Sequence, residues 1–356
     1  MLQFGSLKLS GTKNMLIRLT VSLALFVVSG VTIGACGSVA RAPVAPAPPE
    51  AVFIAIEQDD ILLAPEFSET PKFAVRAVKY PKVSVQEQLV IELINRARAN
   101  PLIEAERLGI DLNEGLSADQ IDPKPKQPLA VEPNLVSAAR FHSADMLKNN
   151  YFGHDSLDGR KPWDRAKATG WVSSGGYSMG ENLSGRFRWS APDDTEIAFS
   201  HHDGLFRSPG HRSNLMGKNF RELGVGISVG PTTYKGSTYP QSSMATELFA
   251  YGGRLYLTGV AIEDADGDKF YDIGEGRGEI TVEVTNSTGS SVSTTTAEAG
   301  GWSVIIPSAG TYSVVFSHPN YADVRDKVTV VNENVKVDAY LTRNENQTGE
   351  DFSSAL

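Results

Sequence analysis

Hydrophobic residues recur at helical spacing between Ser84 and Phe206, and from Leu223 onward the pattern becomes β-branched and alternating. A stripe of period 3.6 cannot serve as a sheet face of period two, so this switch confines the chain to helices followed by strands. The first helix is predicted to open at Ser84-Val85-Gln86-Glu87, a capping-box pattern. It continues through Leu89, Leu93, Ile94 and Ala97 until Asn100-Pro101 stops it. A second starts near Pro133, with Leu135, Ala138, Ala139, His142 and Met146 on one face, and a third runs from Asp194 to Phe206 before Ser208-Pro209-Gly210. Leu223 to Val229 and Met244 to Tyr251 read as strands joined by a polar loop, which makes this part an α+β layered domain.

Beyond Arg254 no helical period remains. The β-rich segments 255–262, 279–285, 302–306, 311–316, 327–331 and 335–341 are separated by Gly, Asn, Ser and Pro turns. They predict a separate all-β sandwich of about 90 residues over 254–342, followed by a polar tail, 343–356, expected to be disordered. A length of 356 residues fits two such units, and 41% hydrophobic with 21% charged residues is enough for a sizeable core.

The N-terminal 35 residues carry Lys8, Lys13 and Arg18, no acidic residue, and an apolar run from Leu19 to Ile33. That is the make-up of a secretory signal, and the run falls short of the ~20 residues a spanning helix needs. Ile33-Gly34-Ala35-Cys36 follows and resembles the lipobox of bacterial lipoproteins; Cys36 is the single cysteine of the chain, so it has no internal disulfide partner. Residues 1–35 are thus expected to be a lipoprotein signal, with Cys36 the lipidated residue that holds the protein to a membrane; the alternative is an ordinary signal peptide with a chance cysteine near its end. The proline-rich start of 36–83 reads as an extended tether leading into a short arm. Loss of the signal shifts the net charge from −9 to about −12, which excludes nucleic acid as a partner.

Three polar signatures lie in order along the helical part: Phe152-Gly153-His154, Gly180-Glu181-Asn182-Leu183, and Ser208-Pro209-Gly210-His211-Arg212-Ser213-Asn214-Leu215-Met216. His154, Glu181 and His211 are 27 and 30 residues apart, so each must ride a different element into any shared site. The signatures resemble those of the CAP superfamily, in its bacterial branch, and the resemblance covers residues 84–253. It implies an α-β-α sandwich with a cavity on one side, and it places His154, Glu181 and His211 on three of four cavity positions. The fourth, a glutamate in secreted eukaryotic members, falls at Ser208, and a tryptophan three residues earlier falls at Leu205; Asp203 is a second possible oxygen donor. The resemblance links such a cavity to sterol or lipid binding, extracellular signalling or proteolysis.

Two imidazoles and a carboxylate are suitable ligands for zinc or another divalent ion with a position left for water. The same three groups could act as general base and partners, or form only a hydrogen-bonded network around a groove. A serine hydrolase would need Ser208 held against His211, and no Gly-x-Ser-x-Gly elbow accompanies it. Among the other histidines, His142 reads as a core residue, His201 and His202 point about 100 degrees apart on their helix, and His318 has no evident partner.

A second motif lies in the β-rich part. Asp264, Asp266, Asp268, Asp272 and Glu275 stand at loop positions 1, 3, 5, 9 and 12, and Phe270 offers a carbonyl at position 7. Glycine is missing from position 6 and the flanks are strands, so a helix-loop-helix calcium hand is not implied. The motif resembles the calcium loop of β-sandwich repeats in bacterial surface adhesins; the alternative is an acidic surface turn. The expectation is an extracytoplasmic lipoprotein, at the cell surface or in the periplasm, whose cleft binds a small molecule, lipid or envelope ligand or an ion. The competing class is a metal-assisted hydrolase of envelope peptide or glycan using His154, Glu181 and His211.

Overall fold

Ser84 accepts the Glu87 amide proton and Glu87 in turn accepts that of Ser84, so the first helix begins at the expected capping box. The computed structural model describes residues 52–56, 62–63, 76–77, 79–173 and 178–344. The signal sequence, Cys36 and most of the tether lie outside the described residues, as does the tail from 345.

The elements in chain order begin with strands β1 (Val52–Ile56), β2 (Leu62–Leu63) and β3 (Arg76–Ala77), then helices α1 (Val85–Ala99) and α2 (Pro101–Arg107). They continue with β4 (Ala130–Val131), α3 (Pro133–Asn149), α4 (Pro162–Ala168), β5 (Ser178–Phe187), α5 (Asp194–Arg207), α6 (Pro209–Leu215), β6 (Glu222–Tyr234) and β7 (Ser237–Tyr251). The C-terminal strands are β8 (Leu255–Ile262), β9 (Thr281–Asn286), β10 (Ser291–Thr295), β11 (Gly301–Ile306), β12 (Gly310–His318), β13 (Tyr321–Val330), β14 (Val335–Lys336) and β15 (Ala339–Tyr340).

One sheet has the order β1-β5-β7-β6-β4, with β2 also on β5. Its two faces are covered differently. Leu223, Val225 and Phe249 pack into a core with α1 and α5, whereas Met179, Leu248 and Ala250 meet α3 and Trp171 on the other side. The α3 contact is close because β6 carries Gly224 and Gly226, where a Cβ would fall 2.2 Å from the Leu135 and Arg140 backbone. The result is an α-β-α sandwich, an α+β fold as expected.

Four departures from the sequence reading have local causes. The expected polar loop between Val229 and Met244 is instead a continuation of both strands, closed by Lys235-Gly236 with φ of 49° and 80°. Two consecutive residues at positive φ form the kind of turn that matches strand twist, so polar Thr and Ser positions can pair as an exposed ribbon. A further short helix, α6, opens directly after the extended Ser208, because Pro209 occupies its first turn, where a missing N–H costs nothing. Strand β5 carries small and polar residues and is held by pairing on both sides, β1 and β7. His318 is not partnerless: its Nδ1 accepts the Asn320 N–H and its ring packs 5.5 Å from Tyr321.

The C-terminal strands, joined by β3 from before α1, form two sheets, β10-β9-β12-β13 and β14-β8-β11-β3 with β15 on β8, enclosing Trp302, Val282, Val314 and Phe316. This β-sandwich region is joined to the helical part by buried contacts. Val260, Ile262, Tyr271 and Ala299 belong to the same apolar core as Leu89 and Leu93, and Asn334 donates to the carbonyls of Pro128 and Arg221.

Candidate functional site

Glu181 sits in the middle of β5 and is fully buried, so its carboxylate needs charge or hydrogen-bond partners from the chain itself. It has two. One oxygen accepts from His154 Nδ1 at 2.9 Å, and the other pairs with the buried Arg165 guanidinium from α4. Arg165 also donates to the His154 carbonyl at 2.8 Å and the Arg160 carbonyl at 3.1 Å, so one side chain ties strand, helix and the 154–160 loop together. A carboxylate can only accept, so His154 must carry its proton on Nδ1 and present Nε2 as its acceptor nitrogen. The His154 side chain is 11% exposed, the one member of this group that reaches the surface.

Alternation along β5 sends the next residue the other way. Asn182 donates to the His211 carbonyl at 3.3 Å and to Glu247 at 3.0 Å, and Asn214 donates to Asn182 at 3.0 Å and to the Glu181 carbonyl at 3.4 Å. These bonds seat α6 against β5 and bring His211 to the same strand through its backbone. The His211 imidazole is held through Nδ1 by Ser208 Oγ at 2.7 Å. Burial pushes the Glu247 carboxyl up to about 8, against which the Asn182 bond acts only in part, so it is protonated at neutral pH.

The sequence-derived trio is therefore gathered in pieces. His154 and Glu181 touch, while His211 bonds Ser208, the position where the resemblance had put a fourth ligand. Among the described residues, the groups of three or more His, Cys, Asp or Glu with ligand atoms within 4.8 Å of one another are Glu104/His202/Asp203 and Asp264/Asp266/Asp268. His154, Glu181 and His211 do not form such a set, because both Glu181 oxygens are turned to His154 and Arg165. Asp203, the second possible donor, pairs with Arg107 instead. Its group is neutralised internally, since Glu104 binds Arg96, Arg107 and His202.

Arg165 and Glu247 were not singled out by sequence reasoning. Arg165 lies in a seven-residue helix with no distinctive spacing, so its burial against Glu181 leaves no local signal. His142, expected in the core, is there: burial pushes it down to about 4, and its Nε2 donates to the Gly153 carbonyl at 2.9 Å, steadying the loop that carries His154. His201 and His202 are both buried. His201 bridges Ser184 and Ser243 and is pushed down to about 3 by burial, whereas His202 bonds Glu104.

With the order of the signatures and this geometry in place, the comparison with known families is direct: residues 91–242 match the model of the cysteine-rich secretory protein family, CAP. This stretch is a CAP domain. A similar protein is YkwD of Bacillus subtilis strain 168, named only as uncharacterized, 28% identical over 172 residues that cover 48% of this chain and 53% of that one. The chain thus spans about half the length of the curated relative it matches. Among solved structures, an extracellular protein with an SCP domain from Bacillus anthracis is 25% identical over 46% of this chain and 39% of its own, with a TM-score of 0.28. A cohesin–X-dockerin complex of Acetivibrio cellulolyticus matches 24% of this chain and 53% of its own at 22% identity and a TM-score of 0.19.

In the β-rich part, Asp264, Asp266 and Asp268 converge, each also accepting a backbone N–H of its own loop: those of Gly267, Asp268 and Phe270. Glu275 lies beneath them and closes the loop through the Ala265 and Asp272 amides at 2.7 and 3.1 Å. Burial, with Glu275, Asp268 and Asp266 nearby, holds the Asp272 carboxyl above its usual value. None of the four aspartates makes an ion pair among the described residues. The carboxylate and carbonyl oxygens suit a hard cation such as calcium, which would draw on Asp264, Asp266 and Asp268 first, with Asp272, Glu275 and the Phe270 carbonyl as further oxygens. Phe270 and Tyr271 also anchor the loop: the Phe270 ring lies under Arg96 of α1 at 4.8 Å, and Tyr271 is buried in the shared core.

Proposed function

We propose that this chain is an extracytoplasmic, membrane-tethered CAP protein that binds a small polar ligand or a divalent ion such as zinc at the His154/His211 cleft. The observation that carries the reading is the buried Arg165–Glu181–His154 relay. It fixes one imidazole by its Nδ1, as Ser208 fixes the other through Nδ1, so both rings are oriented from their Nδ1 side. Glu181 then acts as an orienting partner of His154 rather than as a ligand, the usual relation of a carboxylate to a metal-binding histidine. Hydrolysis is the second reading, with a bound ion polarising a carbonyl. Its general base would have to be an imidazole, since Glu181 is committed to Arg165.

Titration calorimetry with zinc chloride tests this on the chain from residue 37 onward, which keeps every described residue. Binding is expected in the parent, with His154→Ala and His211→Ala each costing at least about tenfold and the double variant little more, because one lost ligand already disables a shared site. Binding should weaken in acid, because protons compete with the metal for the imidazole nitrogens. A parent that binds no zinc at neutral pH removes the metal version; additive losses show that the histidines serve different sites.

The C-terminal β-sandwich, in this reading, is a spacer stiffened by calcium in the Asp264–Glu275 loop, and lipidated Cys36 supplies the anchor. Cys36→Ser is expected to move the protein from the membrane to the soluble fraction with the fold intact. Equal sedimentation of parent and variant would place the anchor elsewhere.

A further inference from the structure

The far end of the β6–β7 hairpin carries an aromatic cluster that neither the histidine cleft nor the acidic loop uses. Phe187, the last residue of β5, is buried and stacks on Tyr234 with centroids 4.5 Å apart and planes at 19°. Tyr239 leans on Phe187 at 5.6 Å, and Trp189 covers Tyr239 at 5.3 Å while remaining 46% exposed. Lys235, at the turn itself, holds its ammonium 5.2 Å from the Tyr234 ring centre. One buried ring thus supports three that reach solvent, with a cation at the tip.

The chain enters the sheet at the same corner. β1 runs antiparallel to β5 with Val52 opposite Phe187, so the first residue of β1 stands at the Trp189 end of the sheet. Cys36 is 16 residues upstream in the sequence, and a fully extended stretch of that length reaches roughly 55 Å. The strand through which a lipid on Cys36 would be joined to the domain therefore begins at this corner.

Rings with an apolar body and a polar edge favour the boundary between headgroups and acyl chains, and a neighbouring ammonium meets phosphate there. A glycan would be better served by a flat stacking surface. Trp189 and Tyr239 do not give one, since their planes cross at 51°. Asp193, Asp194 and Glu196 stand just beyond Trp189 at the start of α5, with Arg188 taken up by Glu196, so the surface is suited to a zwitterionic rather than a strongly anionic bilayer.

We propose that Trp189, Tyr234, Lys235 and Tyr239 form a second membrane contact that seats this corner of the CAP domain in the headgroup layer of a lipid bilayer. The direction of approach rests on the tethered reading above, whereas the affinity of the corner for lipid does not. It is measured on the chain from residue 37 onward, which lacks Cys36, by co-sedimentation with phosphatidylcholine vesicles and by quenching of tryptophan fluorescence with brominated phosphatidylcholine. The parent is expected to co-sediment and to be quenched. Trp189→Ser, at an exposed position, and Lys235→Glu should keep the parent's melting curve; Trp189→Ser should weaken partitioning about tenfold and remove most of the quenching. No co-sedimentation of the parent, or equal partitioning of Trp189→Ser, overturns the proposal. Retention on insoluble envelope polysaccharide without vesicle binding overturns it in favour of a glycan surface. A soluble Cys36→Ser protein in cells together with vesicle binding in vitro supports both readings; failure of the anchor alone leaves the vesicle result standing.

Discussion

Glu181 and the Asp264–Asp268 cluster are both carboxylate sites, and they handle their charge in opposite ways. Glu181 is buried and meets Arg165 and His154, so its counter-charge is built into the chain. The three aspartates are near the surface, take only backbone N–H groups from their own loop, and make no ion pair among the described residues. A carboxylate buried deep in a folded domain cannot wait for an outside cation, because the unpaired state costs several kcal/mol. One in a surface loop can, since water screens it until the cation arrives. The first arrangement pre-organises a side chain; the second leaves room for an ion.

The sharpest break of that contrast is Arg165→Met. It should lower stability by about 3–5 kcal/mol in urea unfolding, and Glu181→Gln added to it should restore much of the loss, because the pair then leaves no buried charge. Asp266→Ala without calcium should instead stay within about 0.5 kcal/mol of the parent. A small effect of Arg165→Met would show that Glu181 does not depend on its internal cation.

Calcium should act only at the loop. At a concentration about 100 times the dissociation constant it should add roughly 2.7 kcal/mol, read as a higher melting temperature of the chain from residue 37 onward, and Asp266→Ala should suppress the gain. Identical melting with calcium and with chelator would make the loop an ordinary acidic turn. Because Phe270 and Tyr271 pack on the helical part, the gain should appear in the whole transition rather than in a separate one.

A third solution is a buried carboxyl that gives up its charge, and its effect is read against pH. Glu247 is held at about 8 by burial, above its ordinary 4.5. Its contribution to stability is therefore fully present below pH 4.5 and is lost as pH rises through about 8, at no more than roughly 1.4 kcal/mol per pH unit. Glu247→Gln should flatten that decline. The acid limb should persist in both proteins, since His142 and His201 are held at about 4 and 3, below their ordinary 6.5, and their contribution is lost as pH falls through those values. A parent and variant with parallel curves from pH 5 to 8 would mean that Glu247 is charged in the folded state.

The sequence by itself determined what is local and periodic. The capping box at Ser84, the helix stripes, the order of the three signatures and the oxygen spacing from Asp264 to Glu275 are each settled within a few residues, so they were legible as written. The α+β layering and the β-sandwich region followed from the change of period. What only the tertiary structure decided is which partners those residues meet. Arg165 reaches Glu181 from a helix 16 residues away in sequence, Asn182 and Asn214 seat α6 on β5, and Ser208 turns to His211, which separates the expected trio into a pair and an anchored histidine. The polar stretch after Val229 became strand because the Lys235-Gly236 turn and cross-strand pairing outweigh weak local propensity. Burial decided the rest: Glu247 differs from an exposed glutamate only through the surroundings that long-range packing gives it, and no local pattern carries that information.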